Sequence, residues 1–217
     1  MTSLERKEPL ARSLVILVPT LWAVNYVVAR KAPGVIEPHT LALGRWGLAG
    51  LLLGLISHKE LWRERHAVLA AWPQYLVLGS LGMLICGAWV YIAGHSTTAV
   101  NIALIYSISP VLIMLASALW LNERLTRLQV LGVALAFAGV LHVIVIGHWS
   151  ALGQLQFSAG DLWIVAAAFA WALYAVLMKK WPSTLTASAR LAATCAGGVV
   201  ALLPFAVGEW TAPGNPG

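Results

Sequence analysis

The 217 residues are 60% hydrophobic and only 10% charged, and their mean hydropathy is +0.81. Soluble domains carry about a quarter of their residues as charges, so a water-soluble globule is excluded and an all-α integral membrane protein is predicted. The formal charge of +6 and pI near 9.7 would suggest nucleic acid in a soluble chain; here the basic residues sit in short segments between apolar runs, so a lipid bilayer is the expected partner and nucleic acid is not.

In chain order, a polar start with Arg6, Lys7 and Arg12 precedes span 1, about Ser13–Ala29. The basic start could open a signal peptide with Val27-Val28-Ala29 as its cleavage site, a reading set aside because a later span repeats this one. Span 2 is about Thr40–Ile56, and a charged loop follows with Lys59, Glu60, Arg63, Glu64 and Arg65. Spans 3, 4 and 5 are about Pro73–Gly94, Ala99–Leu121 and Val130–Ile146. After a Gly/Ser/Gln segment, His148–Gly160, come span 6 (about Leu162–Met178), span 7 (about Leu185–Val207) and a Pro/Gly-rich tail, Thr211–Gly217. Each span is near the roughly 20 residues that a helix needs to cross a bilayer.

With the N-terminus in the cytoplasm, the inner segments hold Arg6, Lys7, Arg12, Lys59, Arg63, Arg65, Arg124, Arg127, Lys179 and Lys180, and the outer segments only Arg30 and Lys31. That asymmetry sets the expected orientation: N-terminus inside, C-terminus of this chain outside, multi-pass, in a cell inner membrane. Trp62, Trp72, Trp120, Trp149, Trp163, Trp181 and Trp210 fall at span borders, where the indole favours the interface, whereas Trp22, Trp89 and Trp171 do not. Cys86 and Cys195 lie inside apolar runs, the six histidines form no metal-binding spacing, and Asp161 is the only aspartate. No nucleophile–base or metal pattern appears, so neither an enzyme, a metal site nor a cofactor is expected.

An internal repeat links the two ends of the chain. Trp22-Ala23 opens a run that closes on Arg30-Lys31, and Trp171-Ala172 opens one that closes on Lys179-Lys180, in step without a gap. Arg45 then lies five residues after Thr40, as Arg190 does after Leu185. The repeat unit holds five spans, an odd number, so the second copy enters the membrane from the opposite side. Spans 6 and 7 match spans 1 and 2, and counterparts of spans 3 to 5 do not follow. Residues 1–150 thus read as a complete five-helix repeat and 151–217 as the first two helices of an inverted second one.

Between Pro110 and Gly139, two apolar runs flank the polar knot Asn122-Glu123-Arg124-Leu125-Thr126. This pattern, P-x10-L-N-E-R-L-T-x-x-Q-x-x-G-x6-G, resembles the EamA-type domain of the drug/metabolite transporter superfamily. So do L-W-A-V-N-Y at 21–26 and L-A-L-G-R-W at 41–46, and the segment at 160–176 resembles the start of the family's second domain. The resemblance implies ten helices in two inverted halves and the export or exchange of small metabolites such as amino acids. Against it, this chain reads as truncated in the second repeat. Two functions from different classes follow: a transporter working by alternating access between the halves, or a non-transporting membrane subunit that needs another copy or a second chain to complete its helix bundle.

A transporter needs polar groups that face a cavity, because polar groups facing lipid are costly. Trp22, Asn25 and Tyr26 share one face of span 1, and Trp171 and Tyr174 hold the matching positions of span 6. They line a cavity, or they pack helices together. Asn101, Tyr106, Ser107 and Ser109 precede Pro110, whose missing N–H predicts a kink that shapes a site or is merely structural. In span 3, Tyr91 is a candidate and Trp89 reads as packing. Arg45 and Arg190 either snorkel or bond between helices, or meet an anionic substrate group. The candidate substrate-binding set is therefore Trp22, Asn25, Tyr26, Tyr91, Asn101, Tyr106, Ser107, Trp171 and Tyr174. Glu123 and Arg124 read as a device for the turn and the helix end.

Overall fold

A computed structural model describes residues 8–122, 125–144 and 158–212. Arg6 and Lys7, the Glu123–Arg124 pair at the heart of the knot, residues 145–157 and the tail 213–217 lie outside the described residues. Every described span is helical: α1 (Glu8–Lys31), α2 (Pro38–Ile56), α5 (Trp72–Ala93), α6 (Ala99–Trp120), α7 (Arg127–Ile144), α8 (Ala159–Lys180) and α9 (Ala187–Thr211). Helices α2, α5, α6, α8 and α9 are long and apolar enough to cross a membrane. In α7 the apolar part is the shorter stretch Arg127–Gly139.

Two local departures from the expected pattern have physical causes. The charged loop is two short helices, α3 (His58–Arg63) and α4 (Arg65–Ala70), on which the Arg65 guanidinium covers the Trp62 ring at 5.0 Å. Dense charge hid the helix because charged side chains need only an aqueous face. Within α5, residues Ser80–Ala88 form a π-helical stretch, wider by one residue per turn. Its glycines accept neighbouring rings: a methyl on Gly82 would meet the Tyr174 ring at 3.2 Å, and one on Gly87 the Trp46 indole nitrogen at 2.8 Å. The expected kink at Pro110 is present, for α6 breaks at Ser107–Ile108 and restarts at Ser109 with the proline in its first turn.

The helix ends sort to two sides. At one end Arg30 Nη1 donates to the Gly94 carbonyl at 2.7 Å, and Thr97 donates to Asp161 beside the α8 N-terminus. At the other end Ser57 and Ser188 bond at 3.1 Å. Among the described residues, this second end carries Lys59, Arg63, Arg65, Arg127, Lys179 and Lys180, and the first end Arg30 and Lys31.

Helices α2 and α9 run antiparallel and form the centre of the packing. A methyl on Gly50 would stand 2.9 Å from Cys195 Cβ, so the two helices approach almost to backbone contact. Helix α5 packs against both, meeting Trp46 of α2 at Gly87 and α9 at Gly79, where a methyl would meet the Gly198 nitrogen at 2.1 Å. Each helix of the antiparallel pair is capped from the far end of the other. Glu209, near the end of α9, accepts from the backbone N–H groups of His39 (2.9 Å) and Thr40 (2.8 Å) at the start of α2. Glu60, just past the end of α2, accepts from the Thr186 N–H (2.7 Å) and hydroxyl (2.6 Å) at the start of α9. A carboxylate on the exposed N–H groups of a helix start satisfies orphan donors and complements the helix dipole. The Thr186 hydroxyl and amide hold the Glu60 carboxyl below its usual range.

Candidate functional site

Four helices, α1, α5, α6 and α8, deliver predicted residues to one seam, and α2 adds an arginine. The π-helical stretch ends at Ala88, and three residues on, Tyr91 is buried and faces both α1 and α2. Arg45 Nη1 on α2 donates to Asn25 Oδ1 on α1 at 2.6 Å and to the Tyr91 hydroxyl oxygen at 2.8 Å. The Tyr91 hydroxyl donates in turn to Asn25 Oδ1 at 3.0 Å, closing a three-membered ring. The Arg45 guanidinium also lies over the Trp46 ring, 4.7 Å from its centroid. Arg45 thus bonds between helices, to α1 and to α5.

An aromatic ladder runs on from this ring. Tyr26, one residue along α1 from Asn25, stacks on Tyr106 of α6 with centroids 5.8 Å apart. Trp22 touches both of those tyrosines at 6.4 Å and meets Trp171 of α8 edge-on at 5.6 Å. Trp171 then stacks on Tyr174 at 5.2 Å. Trp22 and Trp171, matched in the sequence repeat, are therefore direct neighbours. Offset and edge-on aromatic pairs of this kind contribute about 0.5–1.5 kcal/mol each beyond burial. The buried Tyr106 hydroxyl makes no well-formed hydrogen bond; the Cys86 thiol is a polar neighbour but donates instead to the Ala167 carbonyl at 3.2 Å.

Seven of the nine predicted residues are thus brought together: Trp22, Asn25, Tyr26, Tyr91, Tyr106, Trp171 and Tyr174. Two are not. Asn101 Nδ2 points to Asp161 Oδ1 at 3.4 Å, within the junction that ties the start of α6 to the start of α8. There Asp161 completes a capping box with Ser158. Ser107 is exposed, and its hydroxyl bonds back to the Leu104 carbonyl at the α6 break. Sequence reasoning missed Arg45 as the partner of Asn25, although both lie in spans a short loop apart. Arg190, its repeat counterpart, donates from Nη2 to the carbonyls of Met178 (2.9 Å) and Trp181 and so closes the end of α8.

Two cavities lie outside the seam. An apolar groove of about 530 Å³ runs between α6 and α8 past Leu112, Leu119, Phe169 and Leu173. A smaller one of about 160 Å³ lies at the basic end beside Gln74, Trp181 and Arg190. Among the described residues no three His, Cys, Asp or Glu side chains gather as a metal site.

The model of the EamA-like transporter family matches residues 10–145. "Uncharacterized transporter YyaM" of Bacillus subtilis (strain 168) is 32% identical over 184 residues, covering 82% of this chain and 59% of the relative. "Uncharacterized transporter YvbV" of the same organism is 29% identical over 200 residues, covering 89% of this chain and 64% of the relative. An uncharacterized transporter of Archaeoglobus fulgidus is 27% identical over 202 residues, covering 89% of this chain and 66% of the relative. The chain therefore spans under two thirds of the length of these relatives. No solved structure matches.

Proposed function

The chain belongs to the EamA-like transporter family, and from that premise we propose that it moves small metabolites such as amino acids or related compounds across the membrane, as an exporter or exchanger, by alternating access between two inverted helix repeats. The observation that carries this reading is the seam itself. Membrane helices pack mainly through small side chains, with scattered polar groups bonded across the interface. Here α1, α5, α6 and α8 present an Asn, four tyrosines and two tryptophans to one another, with an arginine from α2. Trp22, Asn25, Tyr26, Tyr91, Tyr106, Trp171 and Tyr174 form the substrate path; Asn101 and Ser107 serve local structure. The reciprocal caps of α2 and α9 support an inverted relation between the halves, because an in-plane twofold axis would exchange one cap for the other. The basic end is cytoplasmic and the membrane is the inner one.

The test is counterflow in proteoliposomes loaded with unlabelled metabolites and presented with the labelled forms. Exchange above empty liposomes for at least one metabolite is expected. A flat signal across amino acids, nucleobases and organic acids contradicts the proposal.

A further inference from the structure

We infer that Arg45 anchors a carboxylate on the transported molecule, so that the substrate class is a small organic monoanion with an apolar or aromatic body; this rests on the transport reading above. An arginine inside a membrane protein is costly unless its charge is answered. The partners of Arg45 among the described residues are the Asn25 amide oxygen, the Tyr91 hydroxyl and the Trp46 ring, and all of them are neutral. The two hydrogen bonds both fall on Nη1, which leaves the other edge of the guanidinium with unused donors. A guanidinium has five N–H groups in a fixed fork suited to a carboxylate.

The comparison with the other in-span arginine sharpens this. Arg190 likewise bonds through one nitrogen, Nη2, and its buried Nε has no hydrogen-bond partner among the described residues, but its bonds go to the carbonyls at the end of α8, where a cation offsets the helix dipole. Arg45 has no such helix end. Asn25 and Tyr91 act as positioning residues that aim its fork, and Trp46 covers one face. The next charged side chain at this end of α1, Arg30, is committed to the Gly94 carbonyl. Among the described residues the site thus offers one unanswered positive charge, which matches a carboxylate better than a phosphate of charge about −1.5 to −2. The stacked rings of Tyr26 and Tyr106 begin one residue along α1 and supply a surface for the rest of the molecule.

The experiment compares wild type with Arg45→Gln, Arg45→Lys and Asn25→Asp in proteoliposomes. The labelled probes are benzoate, phenylalanine, glutamate and succinate as carboxylates, glycerol phosphate as the phosphate, and uracil, glycerol and putrescine as compounds without an acid. Flux confined to carboxylates is expected. It falls roughly tenfold or more in Arg45→Gln and recovers in part in Arg45→Lys, because a charged hydrogen bond is about twice as strong as a neutral one. Asn25→Asp keeps the arginine but supplies an internal carboxylate; it is expected to insert normally and to lose carboxylate flux, which separates recognition from folding. Flux of uracil, glycerol, putrescine or glycerol phosphate that survives Arg45→Gln overturns the anchor and leaves the transport reading standing. Carboxylate flux unchanged in Asn25→Asp also overturns it. No flux for any probe overturns both.

Discussion

Helices α2 and α9 meet through glycine and small side chains, with their ends locked by Glu60 and Glu209; α1 meets α6 and α8 through the edges and faces of large polar rings. The first contact leaves no room to slide, since a methyl at Gly50 would overlap Cys195, and the α5–α9 contact is as tight, since one at Gly79 would overlap Gly198. The second is made of side chains with few rotatable bonds that can exchange partners without creating a void. The difference separates two kinds of packing: close glycine contacts among α2, α5 and α9, and a ladder of large polar rings from Asn25 to Tyr174, which the proposed function takes as the part that opens around a molecule.

The comparison breaks most visibly at the glycine contacts. Gly79→Val places carbon atoms where the Gly198 backbone already stands, and overpacking of even a well-tolerated core costs about 1–3 kcal/mol. Against immovable backbone the loss is larger, and the variant is expected to yield no monodisperse protein after detergent extraction. Trp171→Leu, in the ladder, is expected to do the reverse. Extraction and monodispersity stay at wild-type level, while flux of any transported metabolite falls roughly tenfold or more, the scale of losing one aromatic stacking platform and its contacts. If Trp171→Leu fails to fold, the ladder belongs with the glycine contacts after all.

Smaller effects test the caps. Glu209→Gln removes the charge from a carboxylate bonded to His39 and Thr40, and loss of a cap costs about 0.5–2 kcal/mol. A lower Tm in detergent is expected, with flux retained at permissive temperature. Glu60 is solvent-exposed, so its cap is weaker, and its pH dependence has a definite sign. Its folded carboxyl is held below the ordinary 4.5, so its contribution is present above that value and fades as pH falls through the folded one. Tm curves of wild type and Glu60→Gln are expected to differ near neutrality and to converge under acid. A difference that persists unchanged once the pH has passed well below the range of the folded carboxyl contradicts the cap.

Much of this was legible in the sequence because hydropathy and helical period are local properties. Every described apolar run is a helix, and the repeat that pairs Trp22 with Trp171 anticipated two residues that touch. The candidates Tyr26 and Tyr106 were found from polarity within a run, and the structure stacks them. What stayed hidden depends on which helix lies next to which. Asn101 shares the polar signature of Asn25, but its neighbour is Asp161, sixty residues away, and it joins a capping network. Arg45 and Arg190 look alike in sequence; one finds two side chains on other helices and the other a helix end. The π-helical widening of α5 has no signature beyond its glycines, which are common in membrane helices.

The proposed function stands on the seam of Arg45, Tyr91 and the aromatic ladder, and not the glycine contacts of α2, α5 and α9, meeting the substrate. The most direct measurement is flux in proteoliposomes carrying Asn25→Leu or Tyr174→Leu at matched amounts of inserted protein. The account predicts that both variants insert as wild type does and that both lose most of the flux. Wild-type rates in both would remove the seam from the transport path and contradict the account.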